Sequence, residues 1–344
     1  MPCYAALDVA QETTAICVVD EEGRIQTEKK LPTCPDAIAG FLARGAPGLV
    51  RVGMETGPMA VWLWNELAER QLPIICLDAR HANAALKMRP VKTDRNDAAG
   101  LAQIVRTGWF KQVRIKTRSN YQIRSLLTAR ETLVRIRVKI ENELRGLLRT
   151  FGVLFGKRVG SFARRAGEII SGELDASPEM RLVVEALMKA RASTLDQIKV
   201  LDRRLSAIAR ATPVVRLFMT APGVGVITAL SVASVLDDAA RFRRSSSAGA
   251  YLGLTPRRYE SGETSRNGRI SRQGNQLTRT HLYEAATTLL TRNLRFSTLK
   301  AWGMRLARAS GFKKARVAVA RKLAVILHAM WKTNTPFRWS EANA

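Results

Sequence analysis

A chain of 344 residues is long enough for two or three domains, and 46% hydrophobic with 25% charged residues is the composition of a soluble globular protein. No apolar run approaches the roughly 20 residues of a membrane span. Four cysteines without metal-ligand spacing and three scattered histidines argue against a disulfide framework, a zinc centre and a Ser-His-Asp triad.

The formal charge of +27 is unevenly placed: residues 1–110 hold 12 basic and 13 acidic side chains, and the remaining 234 hold 44 and 16. The downstream part is therefore expected to face a polyanion, nucleic acid ahead of an anionic membrane surface, while the first domain does something else. Met1 to Val9 reads as a strand without a secretory leader, which predicts reduced cysteines and a cytoplasmic protein.

In chain order, residues 2–9, 13–20 and 24–31 predict a three-stranded meander, with Asp8 near the end of its first strand and Glu21-Glu22-Gly23 as a turn. A short helix is expected over 36–44 and a fourth strand over 50–55, with Glu55 at its carboxyl end. A helix opened by Pro58 and a fifth strand over 72–77 follow.

The next helix begins at Lys92-Thr93-Asp94-Arg95-Asn96-Asp97, with Thr93 as N-cap. Asp94 and Asp97, three apart, lie on one helix face. Adjacent carboxylates repel each other unless a cation sits between them, and hard divalent ions such as Mg²⁺ take oxygen ligands of this kind.

The order βββ-α-β-α-β-α, with carboxylates after strands one and four and on a following helix, resembles the RNase H-like α/β fold. The acidic pair on the last helix is similar to that of RuvC-type Holliday-junction nucleases. This resemblance implies that strands one and four are neighbours and that Asp8, Glu55, Asp94 and Asp97 converge on a site for Mg²⁺ or Mn²⁺. Two metal ions there could serve phosphoryl transfer.

From Ser119 the pattern changes. Ile123, Leu127, Val134, Ile140, Leu144, Leu147 and Phe151 mark one helical stripe, and Leu187, Leu195, Ile198, Leu201, Leu205 and Ile208 mark another. The last five of these step by 3, 3, 4 and 3, close to a coiled-coil seam, so residues 111–212 are expected to form an antiparallel hairpin or oligomerisation arm around a looser basic segment, 152–177. Arg135, Arg137, Lys139, Arg145 and Arg149 are either a solvated face or a nucleic-acid contact.

Residues 213–344, expected to be mainly helical, hold 22 basic and 6 acidic side chains with aromatics interleaved, which suits phosphate-backbone binding. Pro222-Gly223-Val224-Gly225 between apolar segments has the pattern of a helix-hairpin-helix, whose free amides at Gly223 and Gly225 could meet a phosphate. Tyr251-Leu252-Gly253-Leu254-Thr255-Pro256, Arg257 and Arg258, Ser261-Gly262, and Arg269-Ile270-Ser271-Arg272-Gln273-Gly274-Asn275 follow.

With Leu7-Asp8-Val9, Met54-Glu55-Thr56-Gly57 and the Asp94 motif, this series resembles the DEDD transposases of bacterial insertion sequences, the insertion-sequence one-ten family, over nearly the whole chain. Such a resemblance implies a RuvC-like domain (1–110), a coiled coil (111–212) and a transposase domain (213–344) with a serine nucleophile. It also implies a structured guide RNA, the bridge RNA, that pairs with donor and target DNA, a tetramer or dimer of dimers, and a nucleoid-associated protein. By motif order the nucleophile is Ser261, with Ser245, Ser246, Ser247, Ser265 and Ser271 as rivals. Arg257, Arg258, Arg269 and Arg272 are the expected nucleic-acid contacts. The competing expectation is a hydrolytic RuvC-like junction nuclease that needs the carboxylates alone.

Overall fold

Short apolar runs, interrupted by polar turns, build the first sheet, whose inner strands are buried on both faces. Its strands β1 (Cys3–Val9), β2 (Thr13–Val19) and β3 (Ile25–Pro32) form a meander, and Asp20 pins the second turn by accepting from the Arg24 amide at 2.9 Å. After α1 (Pro35–Gly45) come β4 (Leu49–Glu55), α2 (Ala60–Glu69), β5 (Ile74–Leu77), α3 (Ala79–Leu86) and α4 (Asp94–Thr107). The computed structural model describes residues 1–87, 91–155, 160–293 and 295–339. The chain divides into two compact units, Met1–Lys116 and Thr117–Ala344.

In the first unit the strand order is β3-β2-β1-β4-β5, antiparallel within the meander and parallel from β1 through β4 to β5. The five strands and the pairing of the first with the fourth are as expected. Helix α3 was not expected; Asp78 starts it by accepting from the Arg80 amide at 3.1 Å.

Side chains alternate across the sheet, so Ala6, Ala15, Cys17 and Val19 pack on one face with Leu101, Ala102 and Val105 of α4. Gly53 makes that close docking possible: a Cβ there would lie 2.2 Å from Cγ2 of Val105. Gly53→Val is expected to push α4 off the sheet at a cost of about 1–3 kcal/mol, read as a lower melting temperature, whereas an unchanged melting temperature would contradict this packing. Thr93 caps α4 by accepting from the Asn96 amide at 3.2 Å, and Gly108 ends it in the left-handed region at φ 71°. All four cysteines are free thiols.

The second unit opens with α5 (Arg118–Arg149), α6 (Ser161–Ser171) and α7 (Pro178–Ala211). Ion pairs Arg130–Asp202 near one end and Arg191–Glu141 (2.9 Å) further along make α5 and α7 an antiparallel hairpin within the chain. Its far end closes on α6 through Leu144, Leu148, Phe162, Ala166, Ile169 and Val184.

Two expectations fail here. The 152–177 segment is not simply loose, because α6 buries an apolar stripe in it (residues 156–159 lie outside the described residues). Leu147 and Phe151 are exposed and Leu148 is buried instead, since the i, i+4 step from Leu144 faces α6 while the heptad positions drift off a 3.6-residue helix.

The near end of the hairpin, with Leu127, Leu205 and Ala209, joins one larger core with the downstream helices. These are α8 (Pro213–Met219), α9 (Val226–Leu236), α10 (Ser246–Tyr251), α11 (Gln276–Thr291), α12 (Thr298–Ser310) and α13 (Phe312–Thr333). Strands β6 (Pro256–Ser261) and β7 (Thr264–Ile270), unforeseen in a region expected to be mainly helical, form an exposed hairpin between α10 and α11. No helix among the described residues is long and apolar enough to cross a membrane.

Candidate active site

The parallel pairing of β1 with β4 runs to Leu7 opposite Met54, so the next residues, Asp8 and Glu55, stand side by side at the carboxyl ends of adjacent strands. By alternation both point to the face covered by α4. There Asp8, Glu55 and Asp97 line one open pocket of about 300 Å³ together with Lys87 and Lys92. Burial, then the charges of Asp97 and Asp94, hold the Asp8 carboxyl above the usual carboxylate range. Burial, then Asp8 and Asp97, do the same to Glu55.

Asp94 stands apart from the other three. Its carboxylate accepts from Lys30 Nζ at 2.8 Å and lines a neighbouring pocket with Glu28 and Arg95, which are themselves ion-paired. Lys30 therefore keeps the Asp94 carboxyl below the usual range. Lys30 was missed by sequence reasoning, because only the meander brings β3 next to the start of α4.

Among the described residues no group of three or more Asp, Glu, His or Cys side chains is gathered closely enough to hold a metal ion. Their chemistry nevertheless suits one: the donors are oxygen only, and the two strand-end carboxyls are destabilised as anions by burial and by neighbouring aspartates, a condition that a cation relieves.

In the second unit Ser261 ends β6 and pairs with Thr264 across a two-residue loop. Gly262 occupies the first loop position at φ 55°, the placement of glycine in a II′-type hairpin turn. The serine is exposed, as are Arg257, Arg258 and Arg269. Arg258 is ion-paired with Glu260 at 2.6 Å, and Arg257 reaches the Ser271 carbonyl at 3.5 Å.

The motifs flanking this hairpin close its base. The Ser271 amide donates to Thr255 at 2.8 Å and the Arg272 amide to Gly253 at 3.1 Å. Arg279 Nη1 donates to the carbonyls of Leu252, Gln273 and Gly274 at 3.2, 3.3 and 2.9 Å. The paired motifs thus act as a clasp that holds out the serine. Arg272, at φ 55°, is bent into the left-handed region and lines an adjoining pocket of about 470 Å³.

Gly223 and Gly225 lie between α8 and α9 and differ in setting. A Cβ on Gly223 would meet the Ala285 carbonyl of α11 at 2.4 Å, so this glycine serves packing, whereas Gly225 is exposed at the start of α9. On the long hairpin Arg135 and Arg137 are ion-paired with Glu131 and Glu141 and Arg145 sits over the Phe162 ring, while Lys139 and Arg149 are exposed. Among the rival serines, Ser245 is hydrogen-bonded at 3.0 Å to Nδ1 of buried His328, whose Nε2 faces the Ala239 carbonyl at 3.0 Å. That ring ties the start of α10 to α13.

Similarity to known proteins extends over both units. Residues 5–152 match the profile of DEDD transposases of IS110 elements, described as "Transposase", and residues 215–301 match one described as "Transposase IS116/IS110/IS902 family". The chain is 28% identical over 338 residues to the transposase for insertion sequence element IS1111A of Coxiella burnetii, covering 96% of this chain and 90% of that protein. It is 26% identical over 337 residues to a probable family 20 transposase of Pseudomonas aeruginosa, covering 96% and 97%. A third relative, the transposase for insertion sequence element IS1328 of Yersinia enterocolitica, is 25% identical over 269 residues. Two profiles of the same family, matched one after the other along the chain, make this chain a DNA-cutting transposase enzyme of an insertion sequence, and it belongs to the IS110 family of DEDD transposases.

Proposed function

We propose that this transposase cuts and rejoins DNA strands through a covalent phosphoserine link on Ser261, with Asp8, Glu55, Asp94 and Asp97 as its metal-binding carboxylates. The observation that carries this reading is the pairing of β1 with β4, which sets Asp8 beside Glu55 with Asp97 in the same pocket. The strand order β3-β2-β1-β4-β5 supports an RNase H-like, RuvC-like reading of residues 1–110. Residues 111–212 are the proposed coiled-coil arm and 213–344 the transposase domain.

In the proposed reaction Oγ of Ser261 attacks a DNA phosphorus, forming the serine–phosphate bond as the bond to one deoxyribose oxygen breaks. That oxygen leaves with a proton, and a hydroxyl end of another strand later displaces the serine, so the number of phosphodiesters is conserved. Arg257 and Arg258, on the same strand, are the proposed holders of the attacked phosphate. One or two Mg²⁺ or Mn²⁺ ions, when bound by the four carboxylates, would neutralise developing charge and lower the pKa of an oxygen ligand. The hairpin that carries Ser261, residues 256–270, holds no histidine to serve as base.

Rejoined strands with no loss of phosphodiesters are the expected product, whereas nicks ending in hydrolysed phosphate would favour the junction-nuclease reading. A calorimetric test addresses the carboxylates. The raised values of Asp8 and Glu55 mean that the stability these two contribute is present at acid pH and lost as pH rises through the folded-state value. Asp8→Asn is therefore expected to raise the melting temperature of chelator-treated protein near pH 7, with the gain shrinking towards about pH 4. Mn²⁺ should raise the melting temperature of the wild type and not of Asp8→Asn. A loss of stability in the variant would contradict the repulsion.

A structured guide RNA is the proposed source of target choice, with recognition by backbone and shape because base pairing carries the sequence. The net basic charge of the second unit supports such a partner. The expected result is one discrete RNA co-purifying with the protein, and a heterogeneous mixture stripped by moderate salt would count against it. Exposed Ile136, Val138, Leu147, Leu182 and Val200 on the long hairpin support its pairing with other protomers in a tetramer.

A further inference from the structure

We propose that the groove between α12, α13 and the segment after α13 binds single-stranded nucleic acid, with unpaired bases stacking on Trp302 and Phe337 and phosphates held by Arg305, Lys322 and Arg338. The groove has a volume of about 610 Å³, and these five side chains line it beside an apolar floor that includes Ile326. That is room for a small ligand such as one or two nucleotides.

The wall is built rather than incidental. The Phe337 amide donates to Thr220 Oγ1 at 3.0 Å, which fastens the chain after α13 to the end of α8. Phe337 and Trp339 meet edge to face with centroids 5.3 Å apart, and the Arg295 guanidinium lies 4.1 Å over the Trp339 ring. Trp302 stays 37% exposed at the mouth, an unusual position for so large a ring in a well-packed unit.

Charge selects the occupant. Residues 285–340 hold twelve Lys and Arg and no Asp or Glu. Arg305, Lys322 and Arg338 are exposed at the groove, so a polyanion is the complementary ligand. Rings flanked by cations are what single strands use, because every unpaired base offers a π-face, whereas the stacked bases of a duplex do not. This site lies outside the Ser261 hairpin and goes beyond the reaction proposed there.

The test is fluorescence anisotropy of the full-length protein with a labelled oligothymidine of about 12 nucleotides and with a duplex of equal length, at about 150 mM salt. Trp302→Leu is expected to weaken oligothymidine binding roughly tenfold and duplex binding less than about twofold. Arg338→Gln, a change at an exposed side chain, is expected to weaken oligothymidine binding and lower its salt slope by about one. Lys313→Gln with Lys314→Gln, exposed on α13 outside the groove, should affect both ligands equally. Unchanged oligothymidine binding in Trp302→Leu and Arg338→Gln, or an equal loss for both ligands, would overturn the proposal. So would a polyglutamate that competes as well as the oligothymidine, since the groove would then suit acidic peptides. Binding is the readout, so failure here is distinguishable from failure of the serine chemistry.

Discussion

Ser261→Ala is expected to abolish strand exchange, by roughly a thousandfold or more, while leaving the fold and DNA binding intact. The side chain lies exposed at the tip of a hairpin, so its truncation leaves no cavity. Its backbone place is fixed by the Gly262 turn and by the clasp below, neither of which uses the hydroxyl. Activity and stability should therefore separate cleanly at this residue. Full strand exchange in Ser261→Ala would remove it as nucleophile and return attention to the rivals. Of these, Ser245 is committed to His328, whereas Ser265 donates to Glu260 at 3.2 Å on the facing strand.

Asp8→Ala combined with Asp97→Ala is the second large effect, and strand cleavage is expected to fall by roughly a thousandfold or more. The pair joins the end of β1 to the first turn of α4 across one pocket, so both walls of the site lose their charge together. A non-enzymatic DNA-bridging protein would keep all of its activity in this variant, so retained activity would exclude a catalytic role for the carboxylates. DNA binding should change little, because the basic unit lies downstream. Melting temperature should not fall through lost pairing, since among the described residues neither carboxylate is held by an ion pair in the way that Asp94 is held by Lys30.

Much of the first unit was legible because its signals are local. Short apolar runs bounded by turns, the Thr93 cap and the carboxylates at the ends of two strands are read within a few residues, and the parallel β1–β4 pairing followed from a family resemblance. Helix α3 was missed because it fully buries only Ala82, with Ala85 and Leu86 packed in part, and so short a helix leaves little periodic pattern. The ion pair between Asp94 and Lys30 joins residues 64 positions apart and has no local signature.

The β6–β7 hairpin shows the converse difficulty. All six residues of β6 are exposed, so no buried face imposes a two-residue period, and Arg257-Arg258-Tyr259-Glu260 reads as loop. Its glycine turn and the clasp from Arg279 hold it instead. The long helices were visible from their leucine stripes, but which leucines face inward depends on α6, an element that only the folded hairpin reveals.

The most direct test of the serine assignment is mass spectrometry of the protein trapped on a DNA substrate during strand exchange. A nucleotide phosphate attached to the Ser261 peptide, absent from Asp8→Ala with Asp97→Ala, is the predicted result. Strand exchange without any protein-linked DNA, or an adduct mapped to another residue, would contradict it.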